Sequence, residues 1–175
     1  DYSFSRNYFS NKFKNENLTN YSYVNFDIKN IDDFGELKKK NPNLIGMNVT
    51  IPYKKAVIPF LDQISDESKT IGAVNTILWD SRGNTIGHNT DHIGFEKALK
   101  EKTNTLPKRA LILGTGGASA AVQYSLEKMG CEVLFASRNP KPKQYGYDKL
   151  ESDLMNSIEL IVNTTPLGTF PNIEE

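Results

Sequence analysis

The run from Arg109 to Gly130 limits what this chain can fold into more than any other stretch. Arg109 to Leu113 is a short apolar strand, and Gly114-Thr115-Gly116-Gly117 follows at once as a glycine-rich turn. Ala118, Ala121, Val122, Ser125, Leu126 and Met129 then keep the helix period until Gly130 stops it. Two further apolar strands are expected at Glu132 to Ser137 and Glu159 to Asn163. The resulting β-α-β-α-β order is that of a mononucleotide-binding half of a doubly wound, Rossmann-like parallel sheet. Only a dozen residues follow Asn163, so the second half of such a sheet is expected to be missing.

The glycines carry a chemical expectation as well. A turn of Gly114, Thr115, Gly116, Gly117 and Ala118 lets a pyrophosphate reach backbone N–H groups and the positive end of the helix. Ser119 stands where GxGxxG has its third glycine, and is small enough for close helix packing. The alternative is a tight turn with no ligand. The second strand ends Ala136-Ser137-Arg138-Asn139, with no Asp or Glu at that end. A hydroxyl at Ser137 and a cation at Arg138 suit a 2′-phosphate, and so NADP rather than NAD. A solvated surface arginine is the other reading of Arg138.

Before residue 102, short apolar runs alternate with helical patterns, which predicts an α/β layer architecture. Ser5 is expected to cap a helix carrying Phe9 and Phe13. Tyr23 to Ile28 alternates like a strand, Asp32 to Lys40 reads as a helix, and Leu44 to Thr50 as a second strand. Pro52 is expected to open a helix. Ala73 to Trp79 and Thr85 to His88 flank a hairpin turn at Asp80 to Asn84, and Asp91 to Glu101 is helical again. The polar stretch Lys102 to Lys108, with Pro107, is expected to be a linker. The expected division is a substrate-binding catalytic domain over 1–101, a linker over 102–108 and the first half of a nucleotide domain over 109–175.

Twenty-one basic and 21 acidic residues cancel, so the whole chain has no electrostatic footprint for nucleic acid or anionic membrane. A single cysteine, Cys131, excludes a disulfide framework and a CxxC metal site and fits a reducing, cytoplasmic setting. No apolar run approaches the roughly 18 residues of a membrane span. No metal site is expected.

Three clusters in the first part are unusual for structure alone. Asn48, Thr50 and Lys54 gather at a strand-to-helix transition, Asn75 sits in an otherwise apolar strand, and Asp91 ends another strand just before a helix. Asp91 has a bland alternative as a helix cap, and Lys54 as a solvated lysine. In a first helical turn Lys54 would face the positive dipole end, a mild electrostatic violation that argues for function. Together the clusters suggest a polyhydroxylated ligand held by amides and hydroxyls beside a Lys/Asp pair for proton transfer.

At these residues the sequence resembles the shikimate dehydrogenase family over essentially its whole length. Ser3-Phe4-Ser5 is similar to the family's SxS, Asn48-Val49-Thr50-Ile51-Pro52-Tyr53-Lys54 to NVTxPxK, and Gly72-Ala73-Val74-Asn75-Thr76 to GAVNT. Asn89-Thr90-Asp91 with Gly94-Phe95 resembles NTDxxGF, and Asn163-Thr164-Thr165-Pro166-Leu167-Gly168 resembles NxTxxG. Tyr2 and Arg6 depart from the family's His before the first serine and Pro after the second. The resemblance implies NADP-dependent interconversion of 3-dehydroshikimate and shikimate in aromatic amino acid biosynthesis, by a monomer or homodimer. By position it implies Ser3 and Ser5 on the substrate carboxylate, with Asn48, Thr50, Lys54, Asn75 and Asp91 on the substrate. Lys54 and Asp91 would be the catalytic pair. Asn163, Thr164 and Thr165 would join the nucleotide loop, with Arg138 on the 2′-phosphate. It also implies a strand before the SxS block and a C-terminal segment supplying a Tyr and a Gln, neither within this sequence. The rivals are a quinate/shikimate dehydrogenase using NAD or NADP, and a non-catalytic NADP- or shikimate-binding sensor.

Overall fold

The computed structural model describes residues 3–168 and 174. These residues group into two compact units, Asp1–Lys40 and Asn41–Glu175. Tyr2 lies outside the described residues.

In the first unit, helix α1 spans Phe4–Asn15 and α2 spans Phe34–Lys40, the latter entered through a 3-10 turn at Ile31–Asp33. The cap of α1 is Ser3, not Ser5: the Ser3 hydroxyl accepts from the Arg6 N–H at 3.2 Å. Ser5 falls instead in the first helical turn, two residues past the capping position. The expected strand at Tyr23 to Ile28 is not formed, and neither sheet includes it. Alternation makes a segment fit for a sheet, but only a laddered neighbour makes it a strand. Phe9 instead stacks on Tyr23, ring centroids 5.0 Å apart.

The second unit holds two sheets. The first takes β1 (Gly46–Asn48), β2 (Gln63–Ile64), β3 (Thr76–Trp79) and β4 (Thr85–His88) in the order β1-β3-β4-β2. The β3–β4 hairpin is antiparallel, as expected, with Thr76 opposite His88 and Trp79 opposite Thr85. Its turn is fixed by Asp80, whose carboxylate accepts the Arg82 and Asn84 N–H groups, both at 2.8 Å. Helix α3 (Asp66–Ile71) follows β2, and α4 (Asp91–Lys102) follows β4.

The predicted helix at Pro52 is also corrected. Residues 51–57 form successive turns around a cis Ile51–Pro52 peptide. A helix would commit the Lys54 carbonyl to the Ile58 N–H. Here that carbonyl accepts from the Val74 N–H at 2.7 Å, and the Ile58 N–H goes to Lys55. Lys54 therefore does not sit in a first helical turn, and the dipole argument drawn from that placement falls away.

The second sheet is parallel throughout. Strands β5 (Arg109–Leu113), β6 (Glu132–Ala136) and β7 (Leu160–Asn163) run in the order β6-β5-β7, with α5 (Gly117–Lys128) after β5 and the short α6 (Ser152–Asn156) before β7. The third strand thus pairs with the far edge of β5 rather than extending the sheet beyond β6. A single parallel bridge from Ala136 to Tyr145 occupies the outer side of β6 instead. The chain order reverses between β5 and β7, which makes the carboxyl ends of those two strands the topological switch point. Below it Ala110, Ile112, Val122, Leu126 and Cys131 form a buried core, and Leu99 of α4 belongs to the same core.

Candidate functional site

Lys54, Asn75 and Asp91 come from three separate segments and meet. The Lys54 ammonium donates to Asp91 Oδ2 at 2.7 Å, and the two side chains keep only 16% and 32% of their exposure. The other carboxylate oxygen, Oδ1, accepts from Asn75 Nδ2 at 2.7 Å. Asn75 also donates to Thr90 Oγ1 at 3.0 Å, and its own oxygen accepts the Thr90 N–H at 2.8 Å and the Thr76 hydroxyl at 3.0 Å. Its amide is thus a bridge, with both of its hydrogens engaged within the protein.

The local sequence explains the placement. Asn89, not Asp91, satisfies the start of α4, its oxygen accepting the N–H groups of Asp91 and His92 at 3.0 and 3.4 Å. Asn89 is itself held by donating to the Ala73 carbonyl at 3.0 Å. Asp91 is released from capping and turned toward Lys54, while its charge still sits favourably at the amino end of the helix. Backbone bonds from the Asn75 N–H to the His88 carbonyl and from the Val49 N–H to the Asn75 carbonyl hold the three segments together. Thr90 is a member of this network that the sequence reading did not single out. Its signal was its place between Asn89 and Asp91, where a hydroxyl can reach a neighbouring strand.

Asn48 and Thr50 lie at and just beyond the end of β1 and are exposed. Ser3 and Ser5 belong to the first compact unit. The hydroxyl of Ser3 accepts the Arg6 N–H, and Ser5 is half-buried in the first turn of α1.

The glycine turn lies at the switch point. Gly114 has φ +100, a left-handed conformation that a side chain rarely adopts, and a Cβ there would come within 3.0 Å of the Thr164 hydroxyl. The Thr164 hydroxyl donates to the Leu113 carbonyl at 2.6 Å. Asn163 shapes the facing loop, its oxygen accepting the Thr165 N–H and hydroxyl at 2.9 and 2.7 Å. Gly116 caps α5 with no side-chain bond to the first helical amides, and a Cβ at Gly116 would meet nothing within 4 Å. Thr115 is exposed, and Ala118 is the second residue of the helix. Ser119 folds back, its hydroxyl donating to the Gly116 carbonyl at 2.6 Å. At the end of β6 the Ser137 hydroxyl is buried and makes no hydrogen bond, and Arg138 beside it is exposed.

These features fit a dinucleotide phosphate. Uncapped helical amides face an open approach, and a buried hydroxyl beside an arginine is left for an acceptor. Fold and site together define a class: α/β chains that place a lysine–aspartate pair beside a Rossmann-like nucleotide turn. Within that class, residues 1–77 match the model for the shikimate dehydrogenase substrate binding domain. The chain belongs to the shikimate dehydrogenase family.

Shikimate dehydrogenase (NADP(+)) of Methanococcus vannielii is 35% identical over 180 residues, covering 91% of this chain and 62% of that protein. The crystal structure of shikimate dehydrogenase 1 from Peptoclostridium difficile aligns with a TM-score of 0.82 at 36% identity, covering 98% of this chain and 65% of that one. A shikimate dehydrogenase solved in complex with NADP+ aligns at 0.84 and 32% identity, covering 99% of this chain and 66% of that one. The chain spans about three fifths of the length of the curated relatives it matches.

Proposed function

We propose that the protein is an NADP-dependent oxidoreductase interconverting 3-dehydroshikimate and shikimate. The observation that carries this reading is the ion pair of Lys54 and Asp91, braced by Asn75, in the same compact unit as the uncapped glycine turn. Residues 1–101 form the substrate-binding part, 102–108 the linker and 109–175 the NADP-binding part. Gly114, Thr115, Gly116, Gly117 and Ala118 face the pyrophosphate, Ser137 and Arg138 hold the 2′-phosphate, and Asn163, Thr164 and Thr165 close the loop at the switch point. NADP supplies a hydride acceptor at nicotinamide C4, and its reduced form a hydride donor.

The rest of the work falls to the chain. Oxidation must remove the substrate hydroxyl proton and reduction must return one. Lys54 Nζ receives and returns that proton and, when protonated, stabilises a developing alkoxide. Asp91 holds the lysine through Oδ2 and takes a ring hydroxyl, while Asn75 fixes the carboxylate's orientation. Asn48 and Thr50 are assigned to the ring and, by sequence position alone, Ser3 and Ser5 to the substrate carboxylate. The protein works in the cytoplasm as a monomer or homodimer.

A quinate dehydrogenase using NAD is disfavoured by Arg138 and by the two-serine block. A non-catalytic sensor would have no use for a proton-transfer pair. The test is turnover of the full-length protein with shikimate or quinate and with either cofactor, in wild type and Lys54→Ala. Loss of proton transfer is expected to lower kcat by about 10²–10⁴-fold. A variant keeping more than about a tenth of wild-type kcat would remove Lys54 from the mechanism.

A further inference from the structure

Lys54 touches more than Asp91. A Cβ built on Gly117 would lie 3.2 Å from Lys54 Cβ, 3.4 Å from Cδ and 3.8 Å from Cγ. The first residue of α5 therefore lies against the Cβ–Cδ part of the lysine stem, and its lack of a side chain lets the stem pass close to the helix start. Neither side can withdraw freely. The Lys54 backbone is pinned by the Val74 N–H on its carbonyl at 2.7 Å, and its ammonium by Asp91 at 2.7 Å. Helix α5 is pinned by Ala121, which packs with Ile71 and Ala73 in a buried cluster. The neighbouring glycines differ. A Cβ at Gly116 would enter open space, and one at Gly114 would meet Thr164 and Thr165.

We infer that Gly117 is a positioning residue for Lys54: its lack of a side chain sets the path of the lysine stem to Asp91, and so couples the nucleotide turn to the proton-transfer group. This rests on the proton-transfer reading of Lys54. A methyl at position 117 would crowd Lys54 Cβ at 3.2 Å, so that the root of the lysine stem must give by a few tenths of an ångström, and that shift is carried along the stem toward Nζ. The backbone N–H at that position would still face the phosphates, because the added Cβ points at Lys54 and away from the open approach. Alanine also forms helix better than glycine, so the fold is expected to survive the change.

The experiment is a double-mutant cycle in the full-length protein, with kcat read for shikimate oxidation and NADPH affinity read by fluorescence titration. Gly117→Ala is expected to lower kcat at least tenfold with NADPH affinity within about twofold of wild type. In the Lys54→Ala background the same change is expected to cost less than twofold, because two residues that act through one group are not additive. The pH profile of kcat should shift in Gly117→Ala, while Gly116→Ala should weaken NADPH binding. Equal costs in both backgrounds, an unaltered kcat and pH profile, or a tenfold loss of NADPH affinity in Gly117→Ala would each overturn the inference. If Lys54→Ala itself turns over normally, the functional reading fails first and the positioning role fails with it. If Lys54→Ala is inactive while Gly117→Ala matches wild type, only the positioning role fails.

Discussion

Arg138 and Ser137 stand one after the other just past the end of β6, yet their surroundings differ. The arginine is exposed; the serine hydroxyl is buried and unsatisfied. A buried hydroxyl without a partner carries a desolvation cost that a phosphate oxygen would relieve. Arg138→Ala is expected to weaken NADPH binding by about 1.5–3 kcal/mol, the scale of a charge-assisted bond. NADH binding should hardly change, since that cofactor has no 2′-phosphate. Parallel titrations of the two cofactors check this, and equal weakening of both would make Arg138 a structural residue. Cys131 is the contrasting case at this scale. Burial, followed by Glu159 and Glu132, pushes its thiol up, which fits a core side chain and not a nucleophile.

Where β2 meets β4, two side chains tie the strands. The Asp62 carboxylate accepts the Thr85 N–H at 2.7 Å and the Thr85 hydroxyl at 2.8 Å. Those bonds, the backbone one first, hold the Asp62 carboxyl below its ordinary value of 3.8. A depressed carboxyl adds stability that is fully present above its unfolded value and is lost as pH falls through the folded one. Asp62→Asn is therefore expected to lower Tm at neutral pH, with the gap from wild type closing as pH falls below 3.8. Melting curves across that range measure it.

The elements also show which parts of the fold were legible. The segment from Arg109 to Ala136 could be read nearly to the residue, because a strand buried on both faces is a continuous apolar run and glycines punctuate its helix. The switch point could not: which edge of β5 receives β7 depends on the crossover path, and the local pattern is the same either way. The turns after Pro52 were misread because the partner of the Lys54 carbonyl lies 20 residues away in Val74. Ser3 and Ser5 have equal capping chemistry, and only backbone geometry chooses between them. The meeting of Lys54 and Asp91 was legible from residue types and family blocks; Thr90 was not, since a threonine between Asn89 and Asp91, both of helix-capping type, has an ordinary local use.

Over the whole molecule, the core is shared across segments that the sequence separates. Leu99 of α4 packs with Ala110, Ile112, Val122 and Leu126, and the Ser125 hydroxyl of α5 donates to the His92 carbonyl at 3.1 Å. Helix α4 thus carries Asp91 at its start and anchors in the nucleotide sheet near its end. Leu99→Ala is expected to cost about 2–5 kcal/mol, the range for a truncated core leucine. Trp79 is the only tryptophan and lies in β3, in the other sheet. Its fluorescence and the far-UV circular dichroism should shift to the same lower urea midpoint, as one cooperative unit requires. A shift in circular dichroism alone would mean that the two sheets unfold separately. None of the described helices is long and apolar enough to cross a membrane.

The reversal of strand order at β5 also decides which side chains of β7 meet solvent. Among the described residues its Leu160-Ile161-Val162 run carries no charge, and Ile161 is 51% exposed.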